Sequence, residues 1–456
     1  PTNDQKTFDL LKNVQTLGIF QLESQGMMNL LRKMQISNFD DIAVCIALFR
    51  PGPMENIPTY LERRFQKEPI TYTHKDLEPI LKDTNGIIVY QEQIMQIANQ
   101  FAGYSMGEAD VLRRAVSKKK EDVLIQEREK FVSKCVEMGH DQSISNDIYD
   151  YIVKFANYGF NKSHSVVYAL VAYWMAYLKA NYPSYFMASL LDNAIGSSSA
   201  TNDYIRECRK LNIKVLPPRI NLSKKYYQRE TDGLRYPYLG IRGIGPVIAE
   251  KMEALCEEKP VTSFLDFVRR SSGINSKAIE SMILVGVFDD LNKTKQTLIN
   301  NLKQAESFIA FNQENQDDLF IYLESPEYDF EYLNQIERDL LGINLSFHAL
   351  TDYAKSIEKN GYITPSEVED IRLGRYQIAG VLSRLKIITT KNGSEMCFVE
   401  IEDQLSSFEG VVFSDTWFKY KDYMQKGNVY LFEGNLDYRN NKKQLIVENI
   451  KEIVRS

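Results

Sequence analysis

Apolar residues recur at helical spacing through the first 215 residues of the chain. Turn signals interrupt this spacing, among them Arg50-Pro51-Gly52-Pro53 and Asn85-Gly86. Apolar positions three and four residues apart form one face of a helix, whereas Pro and Gly end helices. The pattern therefore predicts a helical domain over residues 1–215.

The pattern changes after residue 375, where short apolar runs with strand character follow one another. A helical piece at about residues 415–425 separates the third run from the fourth. The five predicted strands are 377–389, 395–402, 408–413, 428–437 and 444–450. Five strands with a helix after the third are typical of an OB-fold barrel, which binds nucleic acid. We predict a multidomain fold, mainly α, followed by a small all-β OB-fold barrel.

Two further regions lie between these domains. Residues 216–310 form short helices that are separated by glycines, with a short hairpin or loop at 229–238. Residues 311–374 begin with a polar, acidic segment and continue as a helical connector. The predicted domains are therefore 1–215, 216–310, 311–374 and 375–456.

Composition narrows the class of protein. The 456 residues are 44% hydrophobic and carry a net charge of −6, so nucleic-acid binding has to come from local clusters of cations. Five scattered cysteines without a CxxC pair and only four histidines predict a reduced, cytoplasmic protein without a metal site. No apolar run reaches the ~20 residues of a membrane span. Because the chain opens on Pro1, we expect it to be a piece of a longer protein.

One candidate anion site lies before the apolar run 166–178. Lys162 and His164 precede this run, and Ser163 or Ser165 is expected to cap the helix. A helix N-terminus with added cations binds phosphate readily. The alternative is a capped core helix with Lys162 in solvent and His164 satisfied locally.

A second candidate is the run Arg113-Arg114-Ala-Val-Ser-Lys118-Lys119-Lys120, which has five cations in eight residues and no acid. Such a run is usually a solvated face, but without compensating acids it favours a phosphate ligand. A weaker cluster comprises Arg50, Arg63, Arg64 and Lys67.

The stretch Gly240-Ile-Arg242-Gly243-Ile-Gly245-Pro246 resembles a helix-hairpin-helix turn. Its glycines let the backbone approach a phosphate, and Pro246 suits the first position of a helix. The motif predicts sequence-independent binding to duplex DNA, and the alternative is a turn used only for packing. It is not GxGxxG, so a dinucleotide site is not expected.

The predicted barrel carries cations in the loops that OB folds use for binding. These cations are Lys391 in the first loop and Arg439, Lys442 and Lys443 in the fourth. Phe398 and Tyr438 are candidate stacking residues for single-stranded DNA. The alternative is a closed core whose basic turns are merely solvated.

Two enzymatic mechanisms find no support in the residues. Nucleotidyl transfer needs paired carboxylates that hold two metal ions, and the chain has no Asp-x-Asp. A DNA ligase needs Lys-x-Asp-Gly, but Glu230 stands where the lysine would be, two residues before Asp232-Gly233. No catalytic residue is predicted in this chain.

Several motifs occur together and in order over nearly the whole chain. They are GIFQLES (18–24), LFRPGPM (48–54), GIIVYQEQIMQIA (86–98), AGYSMGEADVLRRAVSKKK (102–120), YGFNKSHSVVYALVAYWMAYLKANYP (158–183), LGIRGIG (239–245) and RDLLGINLSFHAL (338–350). The set resembles the alpha subunit of bacterial DNA polymerase III, DnaE type. Ser117 replaces a usual glycine, and Phe347 and Ala349 depart from the usual ending of their motif.

The resemblance implies a function for each part. The first region would be the fingers, in which Arg113, Arg114, Lys162 and His164 position the phosphates of an incoming dNTP. The palm, with its aspartates and Mg²⁺, would lie outside this chain, so the chain alone is expected to be inactive and to bind no cofactor. The alternative is a non-catalytic DNA-binding accessory protein built from helix-hairpin-helix and OB modules.

The resemblance also implies partners. These are template-primer DNA, single-stranded DNA, the beta sliding clamp and other replisome subunits, at the nucleoid and not at a membrane. The clamp-binding peptide would be Gln316-Asp317-Asp318-Leu319-Phe320. Its polar surroundings predict an exposed loop that presents Leu319 and Phe320, and the alternative is that both residues pack on the chain that follows.

Overall fold

The computed structural model describes residues 2–117, 121–156, 159–311, 317–346, 349–390, 392–439 and 442–454. Lys391, Gln316 and Lys118–Lys120, which the sequence singled out, lie outside the described residues. The chain forms two compact units, Pro1–Pro183 and Ser184–Ser456.

The first unit is helical where it is described, as predicted. Its helices are α1 (Gln5–Lys12), α2 (Gln25–Met34), α3 (Phe39–Leu48), α4 (Ile57–Arg64), α5 (Glu78–Leu81), α6 (Gln91–Ala102), α7 (Met106–Ser117), α8 (Glu121–Glu137), α9 (Gln142–Ala156) and α10 (Lys162–Asn181). Side-chain oxygens cap several of these helices, as Asp4 does for α1 and Asn38 for α3.

Helix α10 packs against α3 and α1. Small residues, Ala169, Ala172 and Ala176, form its buried side and permit close approach of the neighbouring backbones. Trp174, on the opposite side, is 56% exposed. A run without polar residues does not by itself reveal which face of a helix packs, and the structure shows that only one side of α10 is buried.

The second unit begins with helices and a small sheet. Its helices before the barrel are α11 (Pro183–Ala194), α12 (Ser198–Lys210), α13 (Pro246–Glu258), α14 (Phe264–Arg270), α15 (Ser276–Leu284), α16 (Lys295–Phe311), α17 (Phe330–Leu341) and α18 (Ala354–Asn360). The sheet consists of β1 (Val215–Leu216), β2 (Gln228–Arg229) and β3 (Leu234–Arg235). Strand β3 pairs parallel with β1 and antiparallel with β2, so the hairpin predicted at 229–238 is confirmed.

The second unit ends in a closed five-stranded barrel. Its elements are β4 (Gly374–Thr389), β5 (Glu395–Glu402), β6 (Ser407–Val412), α19 (Ser414–Tyr420), β7 (Val429–Arg439) and β8 (Lys442–Glu452). The strand order is β4-β5-β6-β8-β7, and β4 pairs with β7 to close the barrel. Only β6 and β8 run parallel among these pairs. Five strands with a helix after the third confirm the predicted OB fold.

The barrel core contains an apolar cluster that includes Ile378, Leu382, Val399, Trp417 and Phe432, and a second cluster forms around Ala379, Val381 and Leu431. Strand β7 bends at a bulge between Glu433 and Gly434. A side chain at Gly434 would place its Cβ 1.9 Å from the carbonyl oxygen of Ile446, so only glycine fits there. None of the described helices is both long and apolar enough to cross a membrane.

Candidate nucleotide and nucleic-acid interfaces

The start of α10 lies beside the start of α6. The backbone N–H of Gln91 donates to the carbonyl of Phe160 at 2.9 Å, and the N–H of Phe160 donates to Val89 at 2.9 Å. Gly159 permits this approach, since a Cβ there would lie 3.2 Å from Cγ of Gln91. These bonds fix the polar segment that leads into α10.

The N-terminus of α10 already faces a carboxylate. Asn161 is the cap, and its side chain accepts from the N–H of His164 at 2.8 Å. Glu92 accepts from the N–H of Lys162 and from the side-chain amide of Asn161, both at 2.9 Å. The prediction that Ser163 or Ser165 caps the helix is wrong: Ser165 is buried and donates to the carbonyl of Ala43 at 2.5 Å.

The side chains of Lys162 and His164 are exposed and lie on aromatic rings. The ammonium of Lys162 is 5.6 Å from the centre of the Tyr90 ring. The imidazole of His164 lies 4.1 Å from Tyr168 and 5.3 Å from Phe160. These contacts hold both groups at the head of α10 while leaving their polar edges open to a ligand.

Arg50 also lies in this group, although the sequence analysis placed it only in a weaker cluster. Its guanidinium carbon lies 4.1 Å above the Phe160 ring, and a stacked guanidinium of this kind keeps its N–H donors at its edge. We call Arg50, Lys162 and His164 the α10 head cluster. The sequence signal for Arg50 was its place in the LFRPGPM motif, not its spacing from the other cations.

Arg113 and Arg114 share one carboxylate one turn earlier in α7. Arg113 pairs with Asp110 at 2.7 Å and Arg114 pairs with it at 2.6 Å. The hydrogen bond from Arg113 lowers the pKa of Asp110. Arg113 also donates to the side-chain oxygen of Gln91 at 3.0 Å. The cationic run therefore has a compensating acid, just before the eight residues in which the sequence showed none.

Gln91 connects the two groups of cations. Its side chain contacts Arg113, and its backbone contacts Phe160, which carries Arg50 and His164 on its ring. The first unit thus brings Arg113 and the α10 head cluster to neighbouring positions around the start of α6. Arg114 is the more open of the two arginines, with 60% of its side chain exposed against 23% for Arg113.

The glycine-rich turn in the second unit has the form that the sequence predicted. Gly243 has φ +92°, a conformation that favours glycine. Ile241 and Ile244 on either side of it are buried and anchor the turn. Helix α13 then begins at Pro246, with Gly245 as a cap that has no side chain. The side chain of Arg242 is exposed beside this turn.

Gly240 has a different role from the other two glycines. A Cβ there would lie 2.6 Å from the ring of Tyr236, whose hydroxyl donates to the Gly240 carbonyl at 3.2 Å. Gly240 thus serves packing beneath the turn. A second helical hairpin, α14 and α15, has Asn275 as the cap of α15 and Gly273 with φ +77° in its turn.

One face of the barrel combines an aromatic ring with cations. Phe398 on β5 pairs in register with Lys386 on β4, and Arg384 pairs with Glu400. Arg384 and Lys386 are exposed, and sequence reasoning missed both because it searched loops and not strands. A cavity of about 720 Å³ next to Phe398 is lined by the end of β7, the start of β8 and residues of β5 and β6, among them Glu400 and Glu409.

The predicted cations of the last barrel loop differ in their exposure to solvent. Arg439 and Lys442 are exposed, and Tyr438 is 58% exposed. Lys443 is buried instead, and its ammonium donates to the carbonyls of Val368 and Ile371 at 3.0 and 2.6 Å. Successive residues of a strand point to opposite faces, so Lys442 and Lys443 cannot both project into solvent. The expectation that Lys443 lies in an exposed basic loop is therefore corrected.

The described part of the predicted clamp peptide is only half exposed. Leu319 is 63% exposed, whereas Phe320 is 8% exposed and packs against Phe308 and Tyr322, with ring centres 5.3 and 4.9 Å apart. Asp317 accepts from the guanidinium of Arg269, and this bond raises the pKa of Arg269. The expectation that both apolar side chains project from the loop is met by Leu319 and not by Phe320.

Histidines that the sequence left unassigned also come together. His74, Asp76 and His140 place one ligand atom each within 4.8 Å of one another. They are the one such group of metal-ligating side chains among the described residues. No spacing signal could have found them, because His140 is far from His74 in the chain.

Comparison with known proteins matches three parts of the chain to family models. Residues 1–139 match the model of the bacterial DNA polymerase III alpha subunit finger domain. Residues 212–298 match the helix-hairpin-helix motif, and residues 376–453 match the OB-fold nucleic acid binding domain. The fold and these matches together define a protein with a polymerase finger domain and two nucleic-acid-binding modules.

Proteins that are similar over nearly the whole chain agree with these family matches. The chain is 40% identical over 469 residues to DNA polymerase III subunit alpha of Staphylococcus epidermidis, covering 99% of the chain and 43% of that protein. It is 40% identical to the Halalkalibacterium halodurans protein of the same name and 38% identical to that of Bacillus subtilis, and it covers 41% of each. The chain belongs to the family of bacterial DNA polymerase III alpha subunits, and it spans less than half the length of these relatives.

Proposed function

We propose that this chain provides the fingers, the helix-hairpin-helix region and the OB domain of a replicative DNA polymerase, which carries out template-directed DNA synthesis. The observation that carries the proposal is the grouping of Arg113 and the α10 head cluster around Gln91, in a chain related over 99% of its length to polymerase alpha subunits. The proposed ligand of this group is the triphosphate of an incoming dNTP.

The fingers would act electrostatically. Asp110 and Gln91 hold the Arg113 guanidinium in one orientation, so little reorganisation is needed when a phosphate arrives. Glu92 occupies the N-terminus of α10, so the triphosphate would contact the side chains of Lys162 and His164 and not the helix amides. Mg²⁺ would supply phosphoryl-transfer chemistry from a palm outside this chain, and these cations would orient the phosphates.

The second unit would hold the DNA. Gly243 and Gly245 carry no side chains, so the backbone of this turn is accessible to a phosphate, and Arg242 lies beside it. This geometry favours the backbone of duplex template-primer DNA. Phe398 with Arg384 and Lys386, together with Arg439 and Lys442, favours single-stranded DNA on the barrel, by stacking and phosphate contact.

Sliding-clamp binding is the finer part of the proposal, and it rests on residues 316–320. Leu319 is exposed, but Phe320 would have to leave Phe308 and Tyr322 to enter a pocket on the clamp. Replacing both Leu319 and Phe320 by Ala should abolish clamp binding in calorimetry. Leu323→Ala, another exposed apolar residue, is the control and should bind the clamp as the parent does.

The test of the polymerase proposal is primer extension with Mg²⁺. The chain alone should bind primer-template DNA without extending it, and the full-length polymerase should extend it. Primer extension by the pure chain would contradict the proposal that the metal-binding carboxylates lie outside this chain. Full activity of the polymerase with Arg113, Lys162 and His164 all replaced by Ala would favour the second function, a DNA-binding accessory module. Either function places the protein at the nucleoid, in the cytoplasm.

A further inference from the structure

Two histidines and an aspartate converge in the first unit, away from the α10 head cluster in sequence. His74 and Asp76 flank Lys75 at the 3₁₀ turn Lys75–Leu77, and His140 lies between α8 and α9. Their ligand atoms all lie within 4.8 Å of one another, and Nδ1 of His74 is 3.4 Å from a carboxylate oxygen of Asp76. We propose that these three side chains bind a divalent transition-metal ion, with Zn²⁺ as the representative ion.

The donor set selects the class of ion. Two imidazoles and one carboxylate suit Zn²⁺ and its neighbours in the first transition series, whereas Mg²⁺ and Ca²⁺ prefer oxygen ligands throughout. Four-coordinate Zn²⁺ with bonds of about 2.0–2.1 Å needs ligand atoms about 3.3 Å apart. Closing the triangle from 4.8 Å therefore requires side-chain rotation and no change of fold. Three protein ligands leave a fourth position for water.

The ring of Phe101 holds both imidazoles. Its ring lies 3.8 Å from His140 with an interplanar angle of 17°, and it meets the edge of His74 at 5.2 Å and 66°. Phe101 is itself buried, so it forms a fixed apolar floor under the two rings. The rings of His74 and His140 stand nearly perpendicular, 5.3 Å apart. The site thus has an apolar wall on the side of Phe101 and is open to solvent on the other side, which suits an ion that exchanges with the solvent.

The backbone also fixes the two ligand segments. The N–H of His140 donates to the carbonyl of Cys135 at 3.0 Å, and Gly139 has φ +89°, as in a Schellman ending of α8. On the other segment, the N–H of Asp76 donates to Nδ1 of His74 at 3.3 Å. Nδ1 of His74 has one lone pair, so an ion bound there would displace this long hydrogen bond.

The neighbouring carboxylate does not compete for the ion. Asp141 accepts from the N–H groups of Ser143 and Ile144 at 2.8 and 3.1 Å, and so caps the start of α9. The side chain of Asp76 is 47% exposed and is free to turn toward the two rings. A bound ion would join two segments that are distant in the chain, and it would stabilise the first unit by binding only the folded form.

The test is titration of the full chain with Zn²⁺ alone, followed by calorimetry, with Co²⁺ absorption as a second readout of coordination. One equivalent should bind, and the melting temperature should rise with the Zn²⁺ concentration. Asp76→Asn should weaken binding at least about tenfold. His74→Gln should abolish it. The matched control is Asp83→Asn, an exposed aspartate close in the chain, which should bind as the parent does.

Three results would overturn the proposal. The first is a parent chain that binds no Zn²⁺. The second is undiminished binding in both Asp76→Asn and His74→Gln, which would place the ion elsewhere. The third is a strong thiolate-to-Co²⁺ charge-transfer band, which would assign the ion to cysteines. Because Asp76 is exposed, circular dichroism of Asp76→Asn should match the parent, and lost binding would then report the ligand and not the fold.

Discussion

The arginines of α7 and the cations of the last barrel loop differ in whether a carboxylate holds them. Arg113 and Arg114 are paired with Asp110, and Arg113 is further held by Gln91. Arg439 and Lys442 of the barrel are exposed, and no carboxylate pairs with either among the residues that the structure describes. One group is oriented before any ligand arrives, and the other is free to follow a flexible one.

This difference would suit the two proposed kinds of phosphate recognition. A pre-paired guanidinium has already lost its rotamer freedom, so it can favour one geometry of a triphosphate over others. Free cations at a loop tip retain that freedom and attract any phosphate, with an affinity that salt weakens. We expect the first kind to control the rate of synthesis and the second to control retention of DNA.

The largest expected effect comes from removing an oriented cation. Arg113→Ala in the full-length polymerase should lower kcat/KM for dNTP by about 10²–10³, as does loss of a preorganised donor elsewhere. Arg114→Ala should have a smaller effect, because Arg114 is more exposed and lacks the contact with Gln91. Steady-state primer extension measures both. Lys33→Ala, which replaces an exposed lysine in α2, is the control and should leave kcat/KM unchanged. Equal losses for Arg113→Ala and Arg114→Ala would show that the contact with Gln91 contributes nothing to orientation.

The barrel allows a sharper test within one dipeptide. Lys443→Met removes a buried ammonium that satisfies the carbonyls of Val368 and Ile371, so the free energy of unfolding should fall by about 1–3 kcal/mol. Lys442→Met should leave stability unchanged and weaken binding of single-stranded DNA. Thermal melting and fluorescence anisotropy separate the two effects. Reversed outcomes would show that Lys443, and not Lys442, faces the nucleic acid.

Salt dependence should distinguish the free cations quantitatively. Each barrel cation that contacts a phosphate should contribute about 0.7 to the slope of log K against log salt for single-stranded DNA. Arg439→Ala with Lys442→Ala should therefore lower that slope by about 1.4. Arg375→Ala, in which the lost arginine is paired with Glu448, is the control. An unchanged slope in the double variant would exclude these two cations from the DNA site.

The smallest expected effect is on the stability of the protein at acidic pH, and it concerns Glu108 in α7. Hydrogen bonds from Ser105 and Lys134 lower the pKa of Glu108 to about 2. A carboxyl group whose pKa is lowered by folding stabilises the protein above its ordinary pKa, and that contribution is lost as the pH falls toward 2. Glu108→Gln should therefore reduce the loss of stability on acidification between about pH 5 and pH 2. Acid titration followed by circular dichroism measures it, and identical profiles would contradict this role of Glu108.

Local sequence determined the elements of the fold and the order of the motifs. The barrel strands and the Pro246 start of α13 follow from spacing, turn residues and caps, which act over a few positions. The family also followed from the sequence, since its motifs are contiguous stretches. The clamp peptide, the dNTP cations and the domain boundaries remain predictions.

Only the tertiary structure decided which polar groups are partnered. Glu92 at the head of α10 and Arg50 on Phe160 involve residues that meet through folding and share no spacing. The burial of Lys443 and Phe320, and the meeting of His74 with His140, have the same origin. Side-chain charge and shape are fixed by the sequence, but the energy of a charged or apolar group depends on its neighbours, and long-range packing selects those neighbours.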